Sequence, residues 1–210
     1  MKTNNIFRHK ILLLAVASFA FALPGRAQLF PNTYMNIDWQ MNVPLGDAYA
    51  DKTSGWGMNF EGGYFITPEF SLGAFISYQT NIQSIDRQTL QLPDGSSLTT
   101  AQKHTLFELP FGVAGRYNFM KHRVFQPYVG MRLGADYAEM SSYYYTIQQY
   151  EDSWGVYLSP EIGASIFPSP DQRFGFHVAL FYSYASNSDR LLIYSMDGIS
   201  RFGLRVGISF

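Results

Sequence analysis

The sequence contains no cysteine, and only 15% of its 210 residues are charged, against about a quarter in ordinary soluble domains. Without cysteine there is no disulfide scaffold and no thiolate zinc site. The 4 histidines form no pair at a metal-ligating spacing. The near balance of 15 bases and 16 acids leaves no basic face for nucleic acid. Long hydrophobic runs are missing too. The longest, Ile11 to Leu23, covers 13 residues, whereas a spanning helix needs about 20. What the chain has in abundance is aromatic surface, with 15 Tyr, 18 Phe and 3 Trp, and 47% of its residues are hydrophobic. That composition excludes a disordered chain, because it can bury enough apolar surface to fold.

The first residues read as an address. Lys2, Arg8 and Lys10 precede the apolar run, and Gly25 and Ala27 stand as small residues before Gln28. A basic start, a short apolar stretch and small residues at a cleavage site predict a signal peptide over 1–27, leaving a barrel domain over 28–210. Removing it leaves 11 bases against 16 acids, a net charge of −5.

The rest of the chain is dominated by a period of two, the mark of a strand with one apolar face. Met35, Ile37, Trp39, Met41 and Val43 alternate with Asn36, Asp38, Gln40 and Asn42. The same pattern recurs over Trp56 to Ile66, Phe70 to Tyr78, Phe107 to Phe119, Phe125 to Tyr137, Trp154 to Ile166, Phe174 to Tyr184 and Phe202 to Phe210. Eight segments of roughly ten residues match the length of a tilted strand crossing a bilayer. Pro110, Pro127 and Pro160 fall inside three of them and predict bulges or local ladder breaks. Long connections (44–54, 81–103, 141–153, 186–199) alternate with short ones (67–69, 120–123, 168–173). This asymmetry is that of a barrel with long outer loops and tight periplasmic turns.

An eight-stranded soluble carrier puts its apolar face inside; a membrane barrel puts it outside. Here the apolar face carries most of the Trp, Phe, Tyr and Leu, too bulky for so narrow a lumen. The opposite face is Gly, Ser, Ala and Asn with a few charges. Those charges are Asp38, Glu61, Glu108, Arg116, Arg132, Asp136, Glu161, Arg201 and Arg205, and none falls on the apolar face at mid-depth, where one would cost about 2–4 kcal/mol. Aromatic residues gather at strand ends, with Trp56, Tyr78, Tyr137, Trp154 and Tyr184 at one rim and Tyr64, Tyr117, Phe125, Phe174 and Phe210 at the other, as interfacial girdles do. The predicted fold is therefore all-β, an eight-stranded antiparallel up-and-down transmembrane β-barrel.

The stretches Leu106-Phe107-Glu108-Leu109-Pro110, Arg116-Tyr117-Asn118-Phe119 and Gln126-Pro127-Tyr128-Val129-Gly130 are similar to those of small outer-membrane barrels of Bacteroidota. The whole segment 28–210 resembles the superfamily that includes the OmpA transmembrane domain, OmpX and the opacity-type proteins. Phe202, Leu204, Val206, Ile208 and the final Phe210 resemble the C-terminal signal read by the barrel insertion machinery. The resemblance implies an integral outer-membrane protein of a Gram-negative bacterium with outer-membrane lipid around it.

Three functional classes follow: a non-enzymatic barrel with a plugged lumen that stabilises the envelope or presents its loops to an extracellular or envelope protein, a narrow porin-like channel, and a lipid-modifying enzyme. Buried charges are costly unless paired, and eight strands leave little room for water, which favours the plug. The lumen charges are expected to form at least two acid–arginine contacts, with Glu108 at the level of Arg132 and Glu161 reaching Arg132 from the other side. His177, with Ser159 and Glu161 in the lumen, is the one candidate for a hydrolase constellation; a role as lumen hydrogen-bonder accounts for it more simply. No catalytic residue, cofactor or metal is predicted. Pro93-Asp94-Gly95-Ser96 signals a hairpin beyond the membrane, and Tyr143, Tyr144, Tyr145 and Tyr150 crowd the third outer connection as a candidate binding surface.

Overall fold

A computed structural model describes residues 32–46, 49–91, 97–120, 123–144, 147–169, 174–191 and 194–210. The predicted signal peptide, Tyr145, His122 and the 93–96 turn lie outside the described residues. Eight strands, β1 (Thr33–Leu45), β2 (Gly57–Phe65), β3 (Phe70–Gln91), β4 (Ser97–Asn118), β5 (Phe125–Tyr144), β6 (Ile147–Ile166), β7 (Gly175–Leu191) and β8 (Tyr194–Ser209), run in sequence order round a closed barrel. β8 returns antiparallel to β1, Trp39 opposite Val206 and Ile37 opposite Ile208, and closes the ring. Closure leaves no free edge at membrane depth, where an unpaired backbone group has no water to bond.

Alternation decides the faces. Val113, Leu133, Val156, Ile162 and Phe176 are exposed on the outside, while Asp38, Glu61, Arg132 and Arg205 are buried within. The outside is thus an apolar band of side chains and the inside a polar core, the inverse of a water-soluble barrel. Trp56 and Trp154 stand at one rim and Tyr64, Phe125, Phe174 and Phe210 at the other, all exposed.

The prolines act more locally than bulges would. Pro110 faces Asp136 and Pro160 faces Met131 in unbroken ladders. On its other side Pro110 leaves a gap between the pairs Ile76–Phe111 and Gln79–Glu108, and Pro160 a gap between Leu158–Tyr184 and Glu161–Phe181. Each proline turns its missing N–H toward one neighbour and forfeits pairing there without shifting register. The register shifts lie elsewhere, between Ile85 and Gln88 and between Ala185 and Ser188. Opposite the second, Gly198 takes a φ of +82°, a backbone conformation that glycine adopts without penalty.

The expected long outer connections 81–103, 141–153 and 186–199 are mostly strand. β3 and β4 each run 22 residues and β5 and β6 each 20, about twice the length the alternation marks out. Above the girdle there is no lipid, so the outward face no longer has to be apolar, and the two-residue signal fades while the ladder continues. The inward face there carries apolar residues between the polar Gln102, His104 and Ser142. Leu106, Ala138, Met140, Ala185, Met196 and Ile199 pack with Tyr49 and Ala50 of the β1–β2 connection in one buried cluster.

Candidate functional site in the barrel lumen

Every predicted lumen charge lies on the inward face and is buried: Asp38, Glu61, Glu108, Arg116, Arg132, Asp136, Glu161, Arg201 and Arg205. The arrangement has two levels. At the lower, Arg116 Nε lies 2.5 Å from Glu61 and its Nη2 3.4 Å from Glu161. Arg132 Nη2 lies 2.5 Å from Glu61 and 3.0 Å from Glu161. Arg205 adds a contact of 2.6 Å to Glu161. Three guanidinium groups thus converge on two carboxylates, and Arg132 also donates to Asn59 at 2.7 Å. Tyr34 and Tyr128 each donate to a carboxylate of this group, Glu61 and Glu161 respectively. Their rings also lie beneath the Arg116 guanidinium, 4.9 and 4.2 Å from its carbon. Arg205 covers the Phe181 ring at 3.7 Å. Charge-assisted bonds of this kind are the strong ones in a low-dielectric interior.

At the upper level Arg201 Nη2 lies 2.9 Å from Glu108 and its Nη1 donates to Asn42 and Asn81. Gln79 donates to Glu108. Glu108 is therefore not paired with Arg132, contrary to its count from the β4–β5 turn. Arg132 stands opposite Ala114, while Glu108 stands opposite Ala138, so six residues of β5 separate the two levels. Glu161 does reach Arg132, because Gly130 is its direct partner and leaves the space a side chain would take. Asp136, expected to join the arginine network, makes no ion pair among the described residues, and neither of its carboxylate oxygens has a hydrogen-bond partner there.

His177 is enclosed by Asp38, 2.6 Å from Nδ1, and by the Tyr128 hydroxyl, 2.7 Å from Nε2. Ser159 donates to the Tyr182 carbonyl. Both ring nitrogens of the histidine are thus engaged, and neither by a serine. Among the described residues no group of three or more His, Asp and Glu side chains is placed to hold a metal ion. Gln40, Asn59, Gln79 and Asn81 share that parity and are buried in the lumen, where they bond to Arg205, Arg132, Glu108 and Arg201 respectively.

Tyr143 and Tyr150 are exposed on the extended part of β5 and β6, where Ser141 faces Tyr150 and Tyr143 faces Gln148. Tyr144 belongs to the same strand on the opposite parity. In β8, Phe202 and Val206 are exposed and alternate with Gly203 and Arg205, and Leu204 and Ile208 share their parity. Phe210 exchanges backbone hydrogen bonds with Met35 at 3.1 and 2.8 Å.

The family model described as outer membrane protein beta-barrel domain matches residues 11–210. Solved structures of the same architecture include Neisserial surface protein A, 15% identical with a TM-score of 0.51 over 84% of this chain and 95% of that one. Ail, the attachment invasion locus protein of Yersinia pestis, is 12% identical with a TM-score of 0.48 over 86% of this chain and 100% of that one. The outer membrane protein OprG from Pseudomonas aeruginosa is 13% identical with a TM-score of 0.43 over 85% and 94%. At such identities the likeness concerns the fold. No curated protein matches the chain.

Proposed function

We propose, starting from the fact that this chain belongs to the outer membrane protein β-barrel family, that it is a non-enzymatic barrel of the outer membrane whose lumen is plugged. On this reading the protein stabilises the envelope or presents the surface beyond the girdle to a partner. The observation that carries it is the convergence of Arg116, Arg132 and Arg205 on Glu61 and Glu161, all buried. An eight-stranded barrel has room for side chains or one small ligand, and five long side chains bonded across its axis take up that room. The buried cluster around Leu106, Met140 and Met196 adds a second packed layer, with His104 and Ser142 buried beside it. Against a lipid-modifying enzyme stands the enclosure of His177 by Asp38 and Tyr128, in the lumen rather than at a lipid-facing rim.

The reading includes export through a signal peptide cleaved after Ala27 and recognition of Phe202, Leu204, Val206, Ile208 and Phe210 by the insertion machinery. A partner on the outside would meet Tyr143 and Tyr150, large amphipathic rings that give contact area at low entropic cost. The test is conductance of the purified protein in planar bilayers. Silent membranes are expected; steady, reproducible unitary currents would overturn the plug and leave the narrow pore.

A further inference from the structure

The lumen charges do not balance level by level. At the lower level Asp38, Glu61 and Glu161 face Arg116, Arg132 and Arg205, three against three, with His177 left out of the count. At the upper level Arg201 is, among the described residues, the one cation facing Glu108 and Asp136, which leaves one negative charge without a partner. That charge is located by the orphaned atoms. Both carboxylate oxygens of Asp136, the Oε1 of Glu108 and the Oδ1 of Asn187 are buried and accept no hydrogen bond.

The three residues that carry these oxygens adjoin one another on the inward face. Asp136 stands opposite Pro110 on β4, and Glu108 lies two residues along the same inward face. Arg201 bonds to Glu108 rather than to Asp136. On the other side Asp136 faces Gly155, whose missing Cβ would collide with the Asn187 side chain at 2.3 Å. Asn187, 0% exposed, sits over that glycine and donates its Nδ2 to the Asp136 carbonyl at 3.3 Å. Its orphaned oxygen is thus held over the strand position opposite Asp136. Leaving a buried carboxylate charged and unpaired is among the costlier things a protein can do.

We infer that Asp136, Asn187 and Glu108 form a binding site for one monovalent metal cation, of the sodium class, in the outer half of the lumen. Carboxylate and amide oxygens are the ligands hard cations take. A single positive charge cancels the excess, whereas a divalent ion would leave the level positive. Leu106 and Met140 lie outward of the site on β4 and β5, so the cation exchanges slowly. The site does not depend on whether the barrel conducts.

The experiment is thermal unfolding of the full-length protein extracted from outer membranes, followed by its shift in gel migration, in NaCl, KCl, CaCl2 or choline chloride at equal ionic strength. Sodium or potassium is expected to raise the midpoint over choline by about 4 °C at saturation, as a ligand of the folded state does. The Asp136→Asn variant removes the excess charge and is expected to unfold at one temperature in all four salts. Asn187→Ala weakens the dependence while keeping the carboxylate. Equal midpoints of the wild type in all four salts would overturn the inference, and so would a response to calcium alone. Stabilisation by lowering pH from 9 to 6 with no effect of the metal would assign the positive charge to a proton and overturn it as well.

Discussion

Arg132 shows what a single buried side chain decides in this lumen. Its Nη2 serves Glu61 and Glu161 and its Nη1 serves Asn59, while it is 1% exposed. Arg132→Ala leaves two buried carboxylates with fewer cations, and breaking a buried pair in this way costs about 3–5 kcal/mol. Urea unfolding in lipid vesicles is expected to show that loss. Arg123, exposed at the inner turn, provides the contrast, and its replacement by Ala is expected to leave the midpoint unchanged. An unchanged midpoint for Arg132→Ala would mean that the lower network contributes nothing to holding the barrel closed.

For the strands, stability rests on which face meets lipid. β4 alternates Phe111, Val113 and Tyr117 outward with Gly112, Ala114 and Arg116 inward. Val113 stands opposite Leu133 in the middle of the β4–β5 ladder and is 55% exposed. Val113→Arg is expected to destabilise the folded barrel in vesicles by about 2–4 kcal/mol, the cost of arginine at mid-depth. Ala114→Ser, one residue along and inward, is expected to be tolerated far better. If both cost the same, the outer surface does not face hydrocarbon. The inner glycines have the complementary role: a Cβ on Gly203 would stand 2.5 Å from the Phe181 ring, so bulk on one strand requires its absence on the next.

The molecule as a whole is closed at its outer mouth by a connection rather than by a strand. Tyr49 stacks on His104 with ring centroids 4.5 Å apart, and its hydroxyl bonds to Ser142. The Tyr49 carbonyl faces His104 Nδ1 at 3.4 Å. His104 lies on the part of β4 beyond the girdle, and burial lowers its pKa from the ordinary 6.5. The folded state therefore prefers the neutral ring. The stability this group contributes is fully present above pH 6.5 and falls as the pH drops below that value, because the opened mouth binds the proton more readily. Hydrogen exchange of residues 49–54, corrected for the intrinsic rate, is expected to quicken relative to pH 8 at pH 5, and the His104→Gln variant is expected to lose that difference. Protection that is the same at both pH values would separate the cap from the titration of this histidine.

The parity of the residues was enough to determine the eight strands, their apolar outer face and the inward set of charges, because a membrane imposes the same two-sided contrast on every crossing strand. Ser97–Thr105 and Ser141–Tyr144 carry no such contrast, and only the ladder from β3 through β6 shows that the sheet continues there. Register across strands was equally beyond the sequence. Glu108 bonds to Arg201, and Arg201 lies on β8, far along the chain but across a narrow lumen. The local effect of Pro110 and Pro160 depended on which neighbour met the missing N–H. Asp136 was recognisable as an inward acid, but its lack of a cation was not, since pairing in a closed barrel is decided by side chains reaching across the axis. Alternation is a local property of each strand; which charge meets which is a property of the closed ring.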